Sequence, residues 1–280
     1  MSTDGLELQG LTVRFGGLVA VNGLSLTAPL GRLTGLIGPN GAGKTTTFNA
    51  CSGLERPSAG HVFLSGEDVT GYGPAARARR GLSRTYQRME LFDSLPVRDN
   101  VALGREAGLA GKNPLRHLWA TPKEQAETRQ RAEDAIALCG LEDVASELVG
   151  VLSTGRRRLV ELARVIASGA TMVLLDEPSS GLDSSETARF GEIVRSLVED
   201  EGKGILLVEH DMELVMSVCD YLYVLDFGTQ IFEGTPREVH DSPIVRAAYL
   251  GDMAAEEAAA EAIEAAAAEA IEAAEKTGVR

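Results

Sequence analysis

The stretch GLIGPNGAGKTTTF, Gly35 to Phe48, decides how the rest of the chain is read. A short apolar run opens it, a glycine-rich turn follows, and a helical stretch closes it. Gly38, four intervening residues, then Gly43-Lys44-Thr45 is the spacing of a phosphate-binding loop in the strand–loop–helix setting that such a loop needs. The glycines Gly38, Gly41 and Gly43, with Pro39, Asn40 and Ala42 between them, let backbone N–H groups converge on phosphate oxygens, and the helix N-terminus adds the positive end of its dipole. Lys44 can reach the β- and γ-phosphates, and the Thr45 hydroxyl, followed by Thr46, can ligate Mg²⁺. A glycine-rich turn that binds nothing is the plain alternative. The strand, the helix and the Lys-Thr pair together weigh against it.

Two later stretches carry matching chemistry. MVLLDEP, Met172 to Pro178, ends an apolar strand in Asp176, whose carboxylate can hold Mg²⁺ through water. Glu177 comes next and can polarise an attacking water as general base. By itself such an acidic pair is often a helix cap. VEHD, Val208 to Asp211, ends another apolar strand, which sets His210 beside the expected nucleotide as a γ-phosphate contact, a structural histidine being the plain alternative.

Composition bounds the rest. The chain has 280 residues, 44% of them hydrophobic and 24% charged, ordinary for a globular protein. Its net charge of −14 argues against a nucleic-acid binder. Eight acidic residues and no basic one lie between Asp252 and Glu275, so the body is near −14 + 8 = −6. Three scattered cysteines, Cys51, Cys139 and Cys219, without a CxxC pair favour a reducing compartment. The polar start MSTDGLELQG resembles neither a signal nor a transit peptide, and no apolar run approaches the ~18–20 residues that span a bilayer. A membrane role is therefore expected to come through partner subunits.

LELQGLTVRF and LVAVNGLSLTA, parted by Gly16-Gly17, read as a hairpin, and HVFLSG and LSRTYQ as further strands. From about Met89 to Leu152 the texture is helical, notably Lys123 to Cys139. TMVLLDEP, GILLVEHD and YLYVLDFG then return as apolar runs between helices, the pattern of a parallel sheet covered on both faces. LSTGRRRLVELARVIA, Leu152 to Ala167, is a helix by its stripe of Leu159, Leu162, Ala163 and Ile166, yet it opens on three arginines that oppose its dipole. Either they are solvated or an anion sits where the helix begins. Residues 252–280 are Ala/Glu low-complexity sequence, read as a helical or disordered extension.

Taken in order, these pieces resemble an ATP-binding-cassette (ABC) ATPase from about Leu6 to Gly251. GPNGAGKTT looks like Walker A, TYQ with Gln87 like the Q-loop, and LSTGR like the signature motif. MVLLDEP looks like Walker B, SSGLD with Asp183 like the D-loop, and VEHD like the switch histidine. The resemblance implies a P-loop NTPase α/β fold: an antiparallel β subdomain, a parallel-sheet core and a helical subdomain of about residues 88–160 inserted in a 1–251 domain. It implies ATP and Mg²⁺ as cofactors, Gln87 as a further nucleotide and Mg²⁺ contact, and Glu177 and His210 as the catalytic pair. The family works as ATP-sandwich dimers, so Ser153 and Gly155 would receive the partner's γ-phosphate, and Asp183 of the D-loop would be a further nucleotide contact. Thr154 and Arg156 depart from the family's LSGGQ. Phe15 stands where the family stacks an aromatic on adenine, a core phenylalanine being the alternative. Leu91 and Phe92, just after Gln87, would line the groove for a membrane subunit.

Within the superfamily, VRFGGLVAVNGLSL, LFDSLPVRDNVALG and TPREVHDSPIVRAAYLG resemble branched-chain amino acid importer ATPases, while urea, amide and other small-solute transporters use very similar chains. The partners implied are transmembrane permease subunits, a second ABC ATPase and, indirectly, a solute-binding protein, with no nucleic acid. The location implied is cytoplasmic and peripheral on the membrane. An exporter or regulatory ATPase, a structural subunit with impaired hydrolysis, and a soluble ABC machine remain the rival readings.

Overall fold

The computed structural model describes residues 4–85, 89–110 and 121–249. The first two strands, β1 (Gly5–Phe15) and β2 (Leu18–Pro29), form the expected antiparallel hairpin about Gly16-Gly17. With β4 (Ala59–Leu64) and β5 (Glu67–Asp68) they make a four-stranded antiparallel sheet in the order β2-β1-β4-β5. Leu6, Leu8, Val62 and Leu64 alternate along their strands and point into one core, as a half-buried sheet requires.

The second sheet has six strands, ordered β10-β9-β3-β8-β7-β6. Its centre is β3 (Leu33–Ile37), β8 (Gly204–Val208) and β7 (Met172–Asp176), all parallel, flanked by β9 (Tyr221–Asp226) and β6 (Leu82–Arg84). Every residue of the three central strands is buried, which is why LTGLI, MVLLD and GILLV read as nearly continuous apolar runs, interrupted only by Thr34 and closed by Asp176. Successive side chains serve different cores. Met172, Leu174, Leu206 and Val208 face the antiparallel sheet, and Val173, Leu175, Ile205 and Leu207 face the helices on the other side. Helix α1 (Lys44–Ser52) packs into the first of these layers through Phe48, Ala50 and Cys51. Burial pushes the Cys51 thiol up to about 12, so it behaves as a core residue rather than a nucleophile.

After the short α2 (Pro74–Ala78), the helical part comprises α3 (Val97–Ala110), α4 (Pro122–Cys139) and α5 (Thr154–Ala167), packed on one another. Thr121 and Glu124 close a capping box at the start of α4, and Gly140 ends it in a left-handed conformation. Among the described residues this part contains no strand, only an isolated bridge between Pro96 and Leu148. The helices α6 (Ser184–Glu199), α7 (Met212–Val218) and α8 (Pro236–Asp241) complete the layer against the parallel sheet. The edge strand β10 (Thr229–Gly234), antiparallel to β9, was not expected: its half-exposed TQIFEG pattern is too polar to stand out as a strand. Gln87, Leu250, Gly251 and the extension 252–280 lie outside the described residues.

Candidate active site

The phosphate-binding loop links β3 to α1, at the end of the sheet where β7 and β8 also terminate. Such a crevice beyond the carboxyl ends of parallel strands is where open α/β sheets bind ligands. The loop is held from behind. Gly38 and Gly43 have φ of 150° and 97°, and an added Cβ would come within 2.1 Å of the Leu225 carbonyl oxygen at Gly38 and 2.5 Å of the Ala20 carbonyl oxygen at Gly43. Only glycine fits either place. Gly228, in the β9–β10 turn, donates its N–H to the Ala42 carbonyl at 3.0 Å and so steadies the loop. Nothing in the sequence marked Gly228, because its role comes from a contact between distant segments.

Helix α1 has Gly43 as its N-cap, with no side-chain cap and no acidic residue in its first turn, which leaves its N–H donors for an anion. The Lys44 ammonium is buried and donates to the Gly38 and Pro39 carbonyls at 2.5 and 2.8 Å, folded over the cradle it is expected to serve. Thr45 is exposed and Thr46 half-buried in the same turn. Phe15, at the end of β1, is 49% exposed, which removes the core alternative and leaves its ring available for stacking.

Asp176 ends β7 and is buried, as is its partner Arg84 at the end of β6. Arg84 Nη2 donates to Asp176 Oδ2 at 2.7 Å, while Nη1 donates to Asn49 Oδ1 at 2.8 Å and Ser52 Oγ at 2.9 Å on α1. One guanidinium thus joins the Asp176 strand to the helix that carries the phosphate loop. Burial raises the Asp176 carboxyl above its ordinary value, and the hydrogen bond from Arg84 opposes that rise. Arg84 was not among the expected site residues: its place at the end of a short strand, three residues before Gln87, is a faint signal, and its role lies in partners far along the chain.

Glu177 adopts φ 46°, left-handed for a non-glycine residue, and donates its N–H to the Val208 carbonyl at 2.8 Å. Parallel pairing of Asp176 with Val208 sets the turn beginning at Glu177 beside the one carrying His210. The His210 side chain is 63% exposed, with Nδ1 3.6 Å from Glu209 Oε2. Structure therefore brings the loop Gly38–Thr46, Asp176, Glu177 and His210 to one rim of one sheet.

Ser153, Gly155 and Asp183 form a second group. Ser153 is the N-cap of α5, its hydroxyl accepting from the Arg156 N–H at 3.3 Å. Gly155 is buried against Glu186: a Cβ there would meet Glu186 Oε1 at 2.0 Å. Asp183 caps α6, accepting from the Ser185 and Glu186 N–H groups at 2.8 and 2.9 Å, bonds that hold its carboxyl below the usual range. A Cβ on Gly181 would lie 3.1 Å from Thr154 Cγ2, so SSGLD and LSTGR meet inside this chain. The arginines find carboxylates: Arg156 pairs with Asp143 at 2.8 Å, Arg157 with Asp93 at 2.6 Å and Arg158 with Glu161 at 3.2 Å.

Among the described residues no cluster of three or more His, Cys, Asp or Glu could hold a metal ion by itself. The donor set present, a threonine hydroxyl beside a phosphate cradle and one strand-end carboxylate, suits Mg²⁺ delivered on a nucleotide, which takes one or two protein ligands plus phosphate oxygens.

An uncapped phosphate cradle and strand-end acids at a parallel-sheet rim define a P-loop NTPase. Residues 21–180 match the family described as ABC transporter. The chain is 37% identical over 255 residues, 90% of its length and 100% of the relative's, to the high-affinity branched-chain amino acid transport ATP-binding protein BraF of Pseudomonas aeruginosa. It is 36% identical, with the same coverage, to LivG of Escherichia coli K12, which carries the same description. The lipopolysaccharide export ATP-binding protein LptB of Acidithiobacillus ferridurans is 35% identical over 71% of this chain and 76% of its own. Among solved structures, an ABC-transporter ATP-binding cassette in its ADP conformation superposes with TM-score 0.78 at 28% identity, covering 89% of this chain and 99% of that one. The chain belongs to the ABC transporter family and is one of its ATP-binding, ATP-hydrolysing subunits.

Proposed function

We propose that this chain hydrolyses Mg²⁺-bound ATP to drive a membrane importer for branched-chain or related amino acids. The observation that carries the reading is the 36–37% identity, across the full length of the relatives, to BraF and LivG. The likeness to the export protein LptB extends over less of both chains, which favours import.

In this reading Lys44 leaves the Gly38 and Pro39 carbonyls for the β- and γ-phosphates, and the α1 N–H groups take the remaining oxygens. The adenine stacks on Phe15. Thr45, Asp176 and Gln87 would hold Mg²⁺, which neutralises charge building on the phosphates. Glu177 accepts the proton of the attacking water, and His210 steadies the γ-phosphate. Ser153, Gly155 and Asp183 act across a dimer on the partner's nucleotide, and Arg156 would exchange Asp143 for a phosphate oxygen there. The domain is taken as residues 1–251 with the helical part inserted. Among the described residues no helix is long and apolar enough to cross a membrane, so attachment would run through permease subunits seated near Leu91 and Phe92, placing the chain on the cytoplasmic face.

Affinity capture of the tagged chain from detergent-solubilised native membranes tests this. We expect two polytopic membrane proteins, a second cassette ATPase and an associated solute-binding protein that binds a branched-chain amino acid. Capture of soluble partners alone, or of a complex that moves solute outward, contradicts the importer reading.

A further inference from the structure

Glu209, immediately before His210, is fully buried and has no part in the chemistry described above. A carboxylate out of water must be answered by donors. Among the described residues none of its ion pairs is with lysine or arginine; its donors are backbone N–H groups, divided between two loops. Oε1 accepts from the Ser179 N–H at 2.8 Å, in the turn that follows Glu177. Oε2 accepts from the N–H groups of His210 at 2.9 Å and Asp211 at 3.2 Å. One oxygen holds the loop of the general base and the other the loop of the switch histidine.

The Glu177 side of this bridge needs holding. Glu177 sits at φ 46°, where a non-glycine residue is strained, and such strain persists only when surrounding contacts over-determine it. The bonds from Glu177 N–H to Val208 and from Ser180 N–H to the Glu177 carbonyl are two of those contacts. Glu209 supplies one that also reaches His210.

We propose that Glu209 is a positioning residue that sets Glu177 and His210 in register with each other, so that water and γ-phosphate are addressed at the same time. The inference rests on the assignment of Glu177 and His210 as the hydrolytic pair. Misplacement by about 1 Å of groups that must act together is enough to cost on the order of 100-fold in rate.

Shortening the side chain separates its two contacts. In Glu209→Asp the carboxylate still caps its own loop, since an aspartate readily accepts from the N–H two residues ahead, but it no longer reaches Ser179. For the 280-residue chain we expect kcat to fall at least about tenfold while KM and the affinity for a fluorescent ATP analogue stay within about twofold. Amide hydrogen exchange should quicken at Ser179 and stay slow at His210 and Asp211. Glu209→Gln keeps the length and loses the charge; it should show the same split between kcat and KM, and it serves if the aspartate variant does not fold. Unchanged kcat with a released Ser179 amide overturns the proposal, as does a parallel loss of kcat and ATP affinity, the mark of a merely structural carboxylate. Glu177→Gln is assayed alongside. If it retains turnover, the assignment of the general base fails, and that outcome is distinct from an inactive Glu177→Gln beside an unimpaired Glu209→Asp.

Discussion

Arg84 shows how much of this site depends on a single buried charge. The Arg84 and Asp176 side chains are only 6% and 3% exposed, and Arg84 supplies the buried Asp176 carboxylate with a charged donor. Removing one partner of a buried pair typically costs about 3–5 kcal/mol, since the survivor is left charged without compensation. Arg84→Met should therefore lower unfolding stability by about that amount at neutral pH, read from urea denaturation. The pH dependence follows from Asp176, whose carboxyl is already raised by burial and rises further once Arg84 is gone. Above the unfolded-state pKa of about 3.9 the native state then holds more protons than the unfolded chain, so stability falls as pH rises. The variant's deficit should accordingly narrow as pH is lowered from 7 towards 5. A deficit that widens on acidification, or none at pH 7, would contradict the role given to the pair. Neither Arg84 nor Glu209 stood out in the sequence: Arg84 ends the short LSR strand and Glu209 follows an apolar one, and the importance of each comes from which distant segment it meets.

Among the elements, α5 is the one whose sequence posed a problem. Three arginines at its N-terminus oppose the dipole, and the structure answers them locally with Asp143, Asp93 and Glu161. The first two pairs are substantially exposed and contribute little, whereas Arg158 and Glu161 are buried together and Arg158 Nε also reaches the Ser180 carbonyl at 3.4 Å, tying α5 to the turn after Glu177. The apolar stripe of α5 was readable because helical periodicity is local, and three of its four residues are buried. Its partners were not readable. Gly104 of α3 lies against the backbone of α5, where an added Cβ would stand 2.0 Å from the Arg164 carbonyl oxygen. Gly104→Ala must therefore push the two helices apart, destabilising the chain by about 1–3 kcal/mol. ATP affinity should remain within twofold, because the P-loop belongs to the other packing layer. Equal losses of stability and ATP affinity would mean that the helical part and the nucleotide core are not separable in this way.

For the whole molecule, the central strands of the parallel sheet were the most legible part, since strands buried on both faces carry nearly continuous apolar runs. The P-loop and both strand-end acids followed from motif and setting. The edge strand β10, the support from Gly228 and the Arg84 and Glu209 bridges did not, because each arises where segments far apart in sequence meet. What the molecule as a whole presents is a phosphate cradle, a strained glutamate and a histidine on one sheet rim, next to a helical part carrying the signature-like LSTGR. The proposed function requires that rim to be a hydrolytic site with Glu177 as its base. The most direct measurement is phosphate release from Mg²⁺-ATP by the purified 280-residue chain, wild type against Glu177→Gln, with ATP binding measured on the same samples. Loss of a general base predicts a fall of about 10²–10⁴-fold in turnover with ATP still bound. Turnover in Glu177→Gln close to that of the wild type would contradict the account.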